Sequence, residues 1–218
     1  MTDYIRPFGP TIYRAEMDSE ELAMFTKCAE YSLEEPQPHG QQLAGNIAKQ
    51  YQAKFEDREK FMSFVHKHVS AFTKYEMERA NELLINPVNT DVDWKQMYFS
   101  LHTGPWINYQ EANEFNPIHS HNGTLSAVIY IDVPKEIQEE ANDGLPTNMR
   151  CPGQIEFLYG SDVVGSSGTH KIIPKTGDIL LFHAGLKHQV YPFKSNVTRV
   201  SMSFNVFDIR YGREVKDD

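Results

Sequence analysis

The chain changes its hydrophobic rhythm near Trp94. Before that point, apolar residues mostly recur at helical spacing. After it, they alternate as in strands. "TIYRAEM" (11–17) is an exception, and its pattern predicts a short strand. Asp18 then precedes Glu21 at capping-box spacing, which predicts a helix running to about Tyr31. Leu22, Phe25, Cys28 and Ala29 would share one face of it. "EEPQPHG" (34–40) breaks this helix, and a second helical segment is expected over 42–54. The strongest helical pattern covers 57–84, with Phe61, Phe64, Val65, His68, Phe72, Tyr75 and Met77 at loosely helical spacing. "INPVNTD" (85–91) should end it.

From Trp94 onward, "WKQMYFSLH", "PWINYQ", "LSAVIYIDVP", "GQIEFLYG", "HKIIPKTGDILLF", "HQVYPF" and "TRVSMSFNVFDI" all read as strands. Gly, Pro, Asn and Asp clusters separate them. Short strands without intervening helices point to a sandwich or jelly roll rather than a βαβ sheet. The expected organisation is a single domain over 1–218, mainly β. Residues 1–95 would form a mainly helical N-terminal support and 96–212 the β core. The polar segment 135–153 reads as a solvated connection or as a lid over a site.

Composition narrows the function classes. The chain has 218 residues, 40% hydrophobic and 23% charged, which is globular rather than disordered. A net charge of −9 argues against nucleic acid as a partner. Cys28 and Cys151 stand far apart with no Cys-x-x-Cys, which fits a reducing compartment. "MTDYIRPFGP" lacks the apolar core of a signal peptide, and runs such as "AVIYI" are too short to span a bilayer. These features predict a soluble, cytoplasmic protein without a membrane partner. The aromatic helices could support a homodimer.

The candidate chemistry lies in histidines. In "FNPIHSHNGTLSAVIYIDVP" (115–134), His119 and His121 precede a strand-like run. Near a strand start, residues two apart project to one face, so both rings could meet one metal ion. Alone, the pair reads rather as a polar strand edge. His66 and His68 have the same spacing within a helix, where residues two apart point about 200° apart and cannot share a metal. His39 and His102 read as structural. His188 follows the turn at Pro174, Gly177 and Asp178 and the apolar strand Ile179–Phe182. Arg199 comes eleven residues later. Arg199, Ser201, Ser203 and Asn205 would lie on one strand face, and Val200, Met202, Phe204 and Val206 on the other. A buried guanidinium needs an anionic partner, and a bound carboxylate held in bidentate fashion would supply one.

Together these residues resemble the iron(II)- and 2-oxoglutarate-dependent oxygenases, over about 96–210. The resemblance implies a double-stranded β-helix (a cupin-like jelly roll), with Fe(II) as cofactor and 2-oxoglutarate as co-substrate. His119 matches the first metal ligand, His188 the last, and Arg199 the residue that grips the distal carboxylate of 2-oxoglutarate. Ser201 matches a frequent Arg-x-Ser partner. Tyr130, and Asn108 or Gln110, fall where members carry further co-substrate contacts. Position 121 departs from the pattern, because most members have Asp or Glu there and this chain has His121. A small group of oxygenases assigned by sequence in marine bacteria and their phages is similar, with "WxN", His-x-His and "LSG-V-YY"; this chain reads "WIN", "HSH" and "LSAVIYI". Three neutral imidazoles can hold Fe(II), although losing the carboxylate weakens selection against zinc. If His121 does not bind, Glu114 or Glu156 would be the candidate acid. The implied activity is hydroxylation of a C–H bond in a peptide or protein side chain or a small metabolite. Substrate choice is expected to be set by 135–153 and 161–170. Two other readings stay open: a three-histidine cupin enzyme that does not use 2-oxoglutarate, and a non-enzymatic jelly-roll binding or structural module.

Overall fold

Alternation along the strands sorts this chain into two facing antiparallel sheets. The computed structural model describes residues 2–5, 9–82, 92–102, 104–140, 151–162, 164 and 167–213. In chain order the elements are β1 (Thr2–Ile5), β2 (Ile12–Glu16), α1 (Ser19–Glu34), β3 (Lys49–Gln52) and α2 (Arg58–Glu82). Then come β4 (Val92–Ser100), β5 (Trp106–Gln110), β6 (Asn116–His119), β7 (Leu125–Asp132) and α3 (Lys135–Glu140). The chain continues with β8 (Ile155–Leu158), β9 (Thr169–Ile172), β10 (Asp178–His183), β11 (Lys187–Val190) and β12 (Arg199–Arg213). The major sheet runs β1-β2-β10-β7-β12-β5-β3, with β4 joined to β12, and the minor sheet runs β6-β11-β8-β9. This is the jelly roll expected from the strand pattern.

Each central strand of the major sheet has two buried faces with different jobs. Leu125, Ala127, Ile129 and Ile131 of β7 share one core with Ile179 and Leu181 of β10 and Met202, Phe204 and Val206 of β12. Phe25 and Cys28 of α1 and Phe61, Phe64, Val65, Val69 and Phe72 of α2 close that core from outside. The opposite faces of the same strands, with Tyr130, Leu180 and Phe182, look toward Ile155 and Phe157 of the minor sheet. The helices therefore brace the outside of the major sheet and leave its inner face free for chemistry.

Asp18 caps α1 as its spacing predicts. Its side chain accepts from the Glu20 and Glu21 amides, and Glu21 answers to the Asp18 amide at 3.1 Å. The helix expected over 42–54 is absent. That stretch holds a 3-10 turn at Gly40–Gln42 and then β3, which pairs with β5 in the register Gln50↔Asn108. β3 escaped detection because its inward residue, Gln50, is polar and yet only 4% exposed, so no apolar alternation marks it. The N-terminal region thus supplies strands β1, β2 and β3 to the major sheet as well as two helices. The helix-ending segment 85–91 lies outside the described residues, as does 141–150 of the 135–153 connection. Among the described residues, no helix is long and apolar enough to cross a membrane.

His68 is a core residue, 3% exposed, with its Nδ1 2.7 Å from the Tyr13 hydroxyl. Burial is the largest cause pushing its pKa down, from 6.5 to about 4. A folded pKa below the unfolded one means that the unfolded chain binds the extra proton. Stability is therefore complete above about pH 6.5 and is lost as the pH falls toward 4. The shift corresponds to about 3 kcal/mol in full, of which about 2 kcal/mol is gone by pH 5. Urea unfolding at pH 7 and pH 5 should show that loss together with those of the other buried histidines, and His68→Asn should reduce the difference by about 2 kcal/mol. An unchanged pH slope in the variant would refute this account.

Candidate active site

The inner faces of both sheets line one cleft, of about 600 Å³ with its open mouth included. Its wall includes Asn108, His119, His121, Tyr130, His188, Arg199 and Ser201, which sequence reasoning selected from widely separated segments. His119 ends β6 and is registered directly opposite His188 of β11. His121 lies outside both flanking strands. It sits in the connection between β6 and β7, where its amide donates to the Ala184 carbonyl at 2.9 Å. That anchor to the β10–β11 turn swings its ring toward the other two. One ligand nitrogen from each of the three rings lies within 4.8 Å of the others, and His121 Nε2 is 3.3 Å from His188 Nε2. Nitrogens that share an ion at about 2.1 Å sit at comparable separations.

Two tautomers follow from the backbone. Pro117 O lies 2.7 Å from His119 Nδ1, and Leu186 O lies 2.9 Å from His188 Nδ1. A carbonyl only accepts, so both Nδ1 atoms carry the proton and both Nε2 atoms keep a lone pair to offer, that of His188 facing His121 Nε2. Burial pushes all three rings toward the neutral form: His188 to about 3, His121 to about 4, and His119 downward as well. Phe182 and Phe157 pack against the His188 ring, and Trp106 lies 6.2 Å from that of His121. Neutral imidazoles in an apolar wall make a soft nitrogen site suited to Fe, Zn, Ni or Cu.

Neither candidate acid joins them. Glu156 lies on the β8 face opposite Phe157, where it accepts from Gln189 Nε2 and the Tyr191 hydroxyl, each at 2.5 Å. Glu114 accepts the Ala48 and Glu111 amides at 2.8 Å. Among the described residues, no carboxylate lines the cleft.

Across from the histidines, the major sheet presents a polar row. Register aligns Gln50 of β3 with Asn108 of β5, Asn108 with Ser201 of β12, and Ser201 with Tyr130 of β7. One step along lies Arg199, only 3% exposed. Its Nη1 donates to the Gly153 carbonyl at 2.5 Å and its Nη2 to Gln110 Oε1. Gln110 is itself oriented, since its Nε2 donates to the Glu114 carbonyl at 2.5 Å. Gln110 is thus a partner of Arg199, and Asn108 is the residue that meets the cleft. No carboxylate among the described residues pairs with Arg199, and its Nε and the Tyr130 hydroxyl both lack partners. The Tyr130 ring stacks under the guanidinium at 5.5 Å. Burial holds the Arg199 pKa below its usual value and pushes the Tyr130 phenol up to about 12. An orphaned buried cation next to an orphaned hydroxyl is a cradle for a carboxylate.

Residues 104–205 match the model of a protein family described as "Putative 2OG-Fe(II) oxygenase". The match spans just under half of the chain, holds every candidate site residue, and marks the protein as a 2-oxoglutarate- and Fe(II)-dependent oxygenase. This oxygenase uses Fe(II) and 2-oxoglutarate, and the chemistry of its cleft fits both: three converging imidazole nitrogens and a buried guanidinium without a carboxylate partner. Solved structures share the fold at low identity. A prolyl-4-hydroxylase of Pseudomonas putida aligns over 89% of this chain and 91% of its own, at 13% identity and TM-score 0.51. A prolyl hydroxylase of Trichoplax adhaerens, solved with a hypoxia inducible factor peptide, aligns over 90% and 83%, at 14% identity and TM-score 0.51. The carbocyclase SnoK of nogalamycin biosynthesis aligns over 94% and 83%, at 14% identity and TM-score 0.54. Among curated proteins, no sequence relative matches.

Sequence reasoning missed Gln50, Gln110's role, Asn116 and Gly153. Only Gly153 left a signal, as one glycine in a polar connection. Its φ is +64°, and a Cβ there would meet Ile137 Cγ2 at 2.7 Å. Gly153→Ala is expected to lower stability by about 1–3 kcal/mol in denaturant unfolding. Measured against Ile137→Ala alone, Gly153→Ala should cost less by the clash component, leaving the left-handed strain.

Proposed function

We propose that His119, His121 and His188 hold Fe(II) through their ring nitrogens and that Arg199 grips the distal carboxylate of 2-oxoglutarate. Ser201, Tyr130 and Asn108 complete the co-substrate wall. One observation carries this reading: a buried guanidinium without a carboxylate partner stands beside an unpartnered phenol, in the same cleft as three converging imidazoles.

The chain's own groups divide the work. His119 and His188 keep their protons on Nδ1, held by Pro117 O and Leu186 O, and so offer Nε2 as acceptors. Gln110 and the Gly153 carbonyl fix the guanidinium plane, which orients a bidentate carboxylate. The Tyr130 hydroxyl donates to the same guest. Val128, Ile155, Phe182 and Val190 exclude water from the cleft wall. When bound, Fe(II) and 2-oxoglutarate with O2 supply the oxidising chemistry and leave succinate and CO2 as co-products.

The substrate is a peptide or protein side chain or a small metabolite, hydroxylated at a C–H bond. The net charge of −9 disfavours a polyanionic substrate.

Anaerobic addition of Fe(II) and 2-oxoglutarate should produce the visible absorption of an iron-chelated keto acid. Arg199→Ala should weaken 2-oxoglutarate binding by about two to three orders of magnitude, the loss expected on truncating one partner of a buried charge pair. Unchanged affinity or unchanged succinate release in that variant would refute the assignment and favour a three-histidine enzyme that does not use 2-oxoglutarate. His121→Ala should weaken Fe(II) binding by about tenfold or more, whereas His121→Asp should retain it. Equal metal affinity in wild type and His121→Ala would remove His121 from the ligand set.

A further inference from the structure

Outside the cleft, one short turn anchors two of the three imidazoles. Residues 183–186 lead from β10 into β11. The Ala184 carbonyl accepts the His121 amide at 2.9 Å, and the Ala184 amide donates to Thr124 O at 3.1 Å. Two residues on, the Leu186 carbonyl accepts from His188 Nδ1 at 2.9 Å. The turn closes on itself through the Leu186 amide, which donates to His183 O at 2.9 Å. His121 and His188 are therefore set by the same four residues. His119 is not, because its Nδ1 donates to Pro117 O. A shift of this turn would move two rings relative to the third.

What holds the turn lies on the other side of the sheet. Ile179 and Leu181 of β10 face the helices, so His183, two residues further on, points the same way. Its ring meets that of Phe72 in α2 edge-on at 5.4 Å. Its Nε2 lies 3.1 Å from Glu76 Oε2, one helical turn beyond Phe72. An ionised carboxylate only accepts, so Nε2 carries the proton and donates. The other Glu76 oxygen accepts the Thr11 hydroxyl at 2.5 Å. Thr11 is fully buried directly before β2, which pairs with β10 in the register Ile12↔Phe182. One carboxylate thus bridges the ends of β2 and β10. With side chains 45% and 28% exposed, the His183–Glu76 pair adds little to global stability. Its leverage is local, on the turn.

We propose that Glu76 and His183 are positioning residues for the metal site: α2 holds the β10–β11 turn through them, and the turn holds His121 and His188. This rests on the three-histidine reading given above. Neither side chain lines the cleft. They act through the backbone, by setting how much of the time the turn stands where the nitrogens converge. A site that is competent for only a fraction of the time binds its metal more weakly by that fraction.

The test uses the full chain and Co(II) alone, whose visible absorption reports the arrangement of its nitrogen ligands without turnover. Wild type, His183→Ala, Glu76→Ala and the double variant are titrated. Each single variant is expected to bind Co(II) about fivefold more weakly, with an altered visible spectrum. The double variant should bind no more weakly than either single one, since both remove the same contact. His183→Gln, whose side-chain amide still donates to Glu76, should recover most of the affinity and the wild-type spectrum. Glu78→Ala, which removes an exposed partner of Lys74 on the same helix, should change neither. A merely structural pair would lower the urea midpoint and leave the Co(II) spectrum alone. Wild-type affinity and spectrum in the single variants, additive losses in the double variant, or no rescue by His183→Gln overturns the positioning role and leaves the three-histidine reading intact. If one single variant fails to fold by circular dichroism, the other carries the test with His183→Gln. Loss of folding in both overturns the positioning role, because the pair then serves the fold as a whole. Absence of stoichiometric Co(II) binding to wild type overturns the three-histidine reading and this one with it.

Discussion

The buried guanidinium of Arg199 sets the terms for the rest of the molecule. A charge in a dry interior is unfavourable by several kcal/mol unless it is paired. Here Gln110 and the Gly153 carbonyl, both neutral, hold two of its nitrogens while Nε and the neighbouring Tyr130 hydroxyl stay unpartnered. A fold can carry such a group only if its stability is secured elsewhere. The major sheet does this by dividing its faces: β7, β10 and β12 turn their aliphatic residues outward, against the aromatic faces of α1 and α2.

The same division explains the histidine cluster. Three imidazoles converge because β6 and β11 set His119 opposite His188, and the β10–β11 turn pulls in His121 through one backbone hydrogen bond. Their burial favours neutral rings, and two carbonyl oxygens already choose the tautomer that leaves Nε2 free. Replacing the usual carboxylate with His121 removes a negative charge from the site. The cleft carries no carboxylate among the described residues to restore it, so under the proposed assignment metal selection depends on nitrogen ligands and geometry alone.

The two ends of the cleft are built by different connections. α3 and Gly153 seal the Arg199 end, where Ile137 leaves no room for a side chain on Gly153. The connection between α1 and β3 walls the mouth with Leu43, Gly45 and Ile47. Connections thus wall the cleft and supply His121, while the strands carry His119, His188 and Arg199. This is the usual partition between a rigid scaffold and the loops set on it.

Much of this protein was legible in its sequence. Strand-like apolar runs and alternation marked β2, β7, β10 and β12, Asp18 and Glu21 marked the start of α1, and the polar and apolar faces of β12 fell where the spacing put them. Local chemistry suffices for such features, because alternation, capping and turn residues act over a few positions. The resemblance rested on His119, His188 and Arg199, and the fold brings all three to one cleft. What stayed hidden was non-local. β3 is a strand only because β5 lies beside it, and its inward Gln50 is polar because it faces a cavity rather than a core. Gln110 turns to Arg199 because the Glu114 carbonyl fixes its amide. The sequence by itself determined which residues could do the chemistry. Only the tertiary structure decided which of them meet, because facing sheets and backbone clamps join positions that no short-range pattern links.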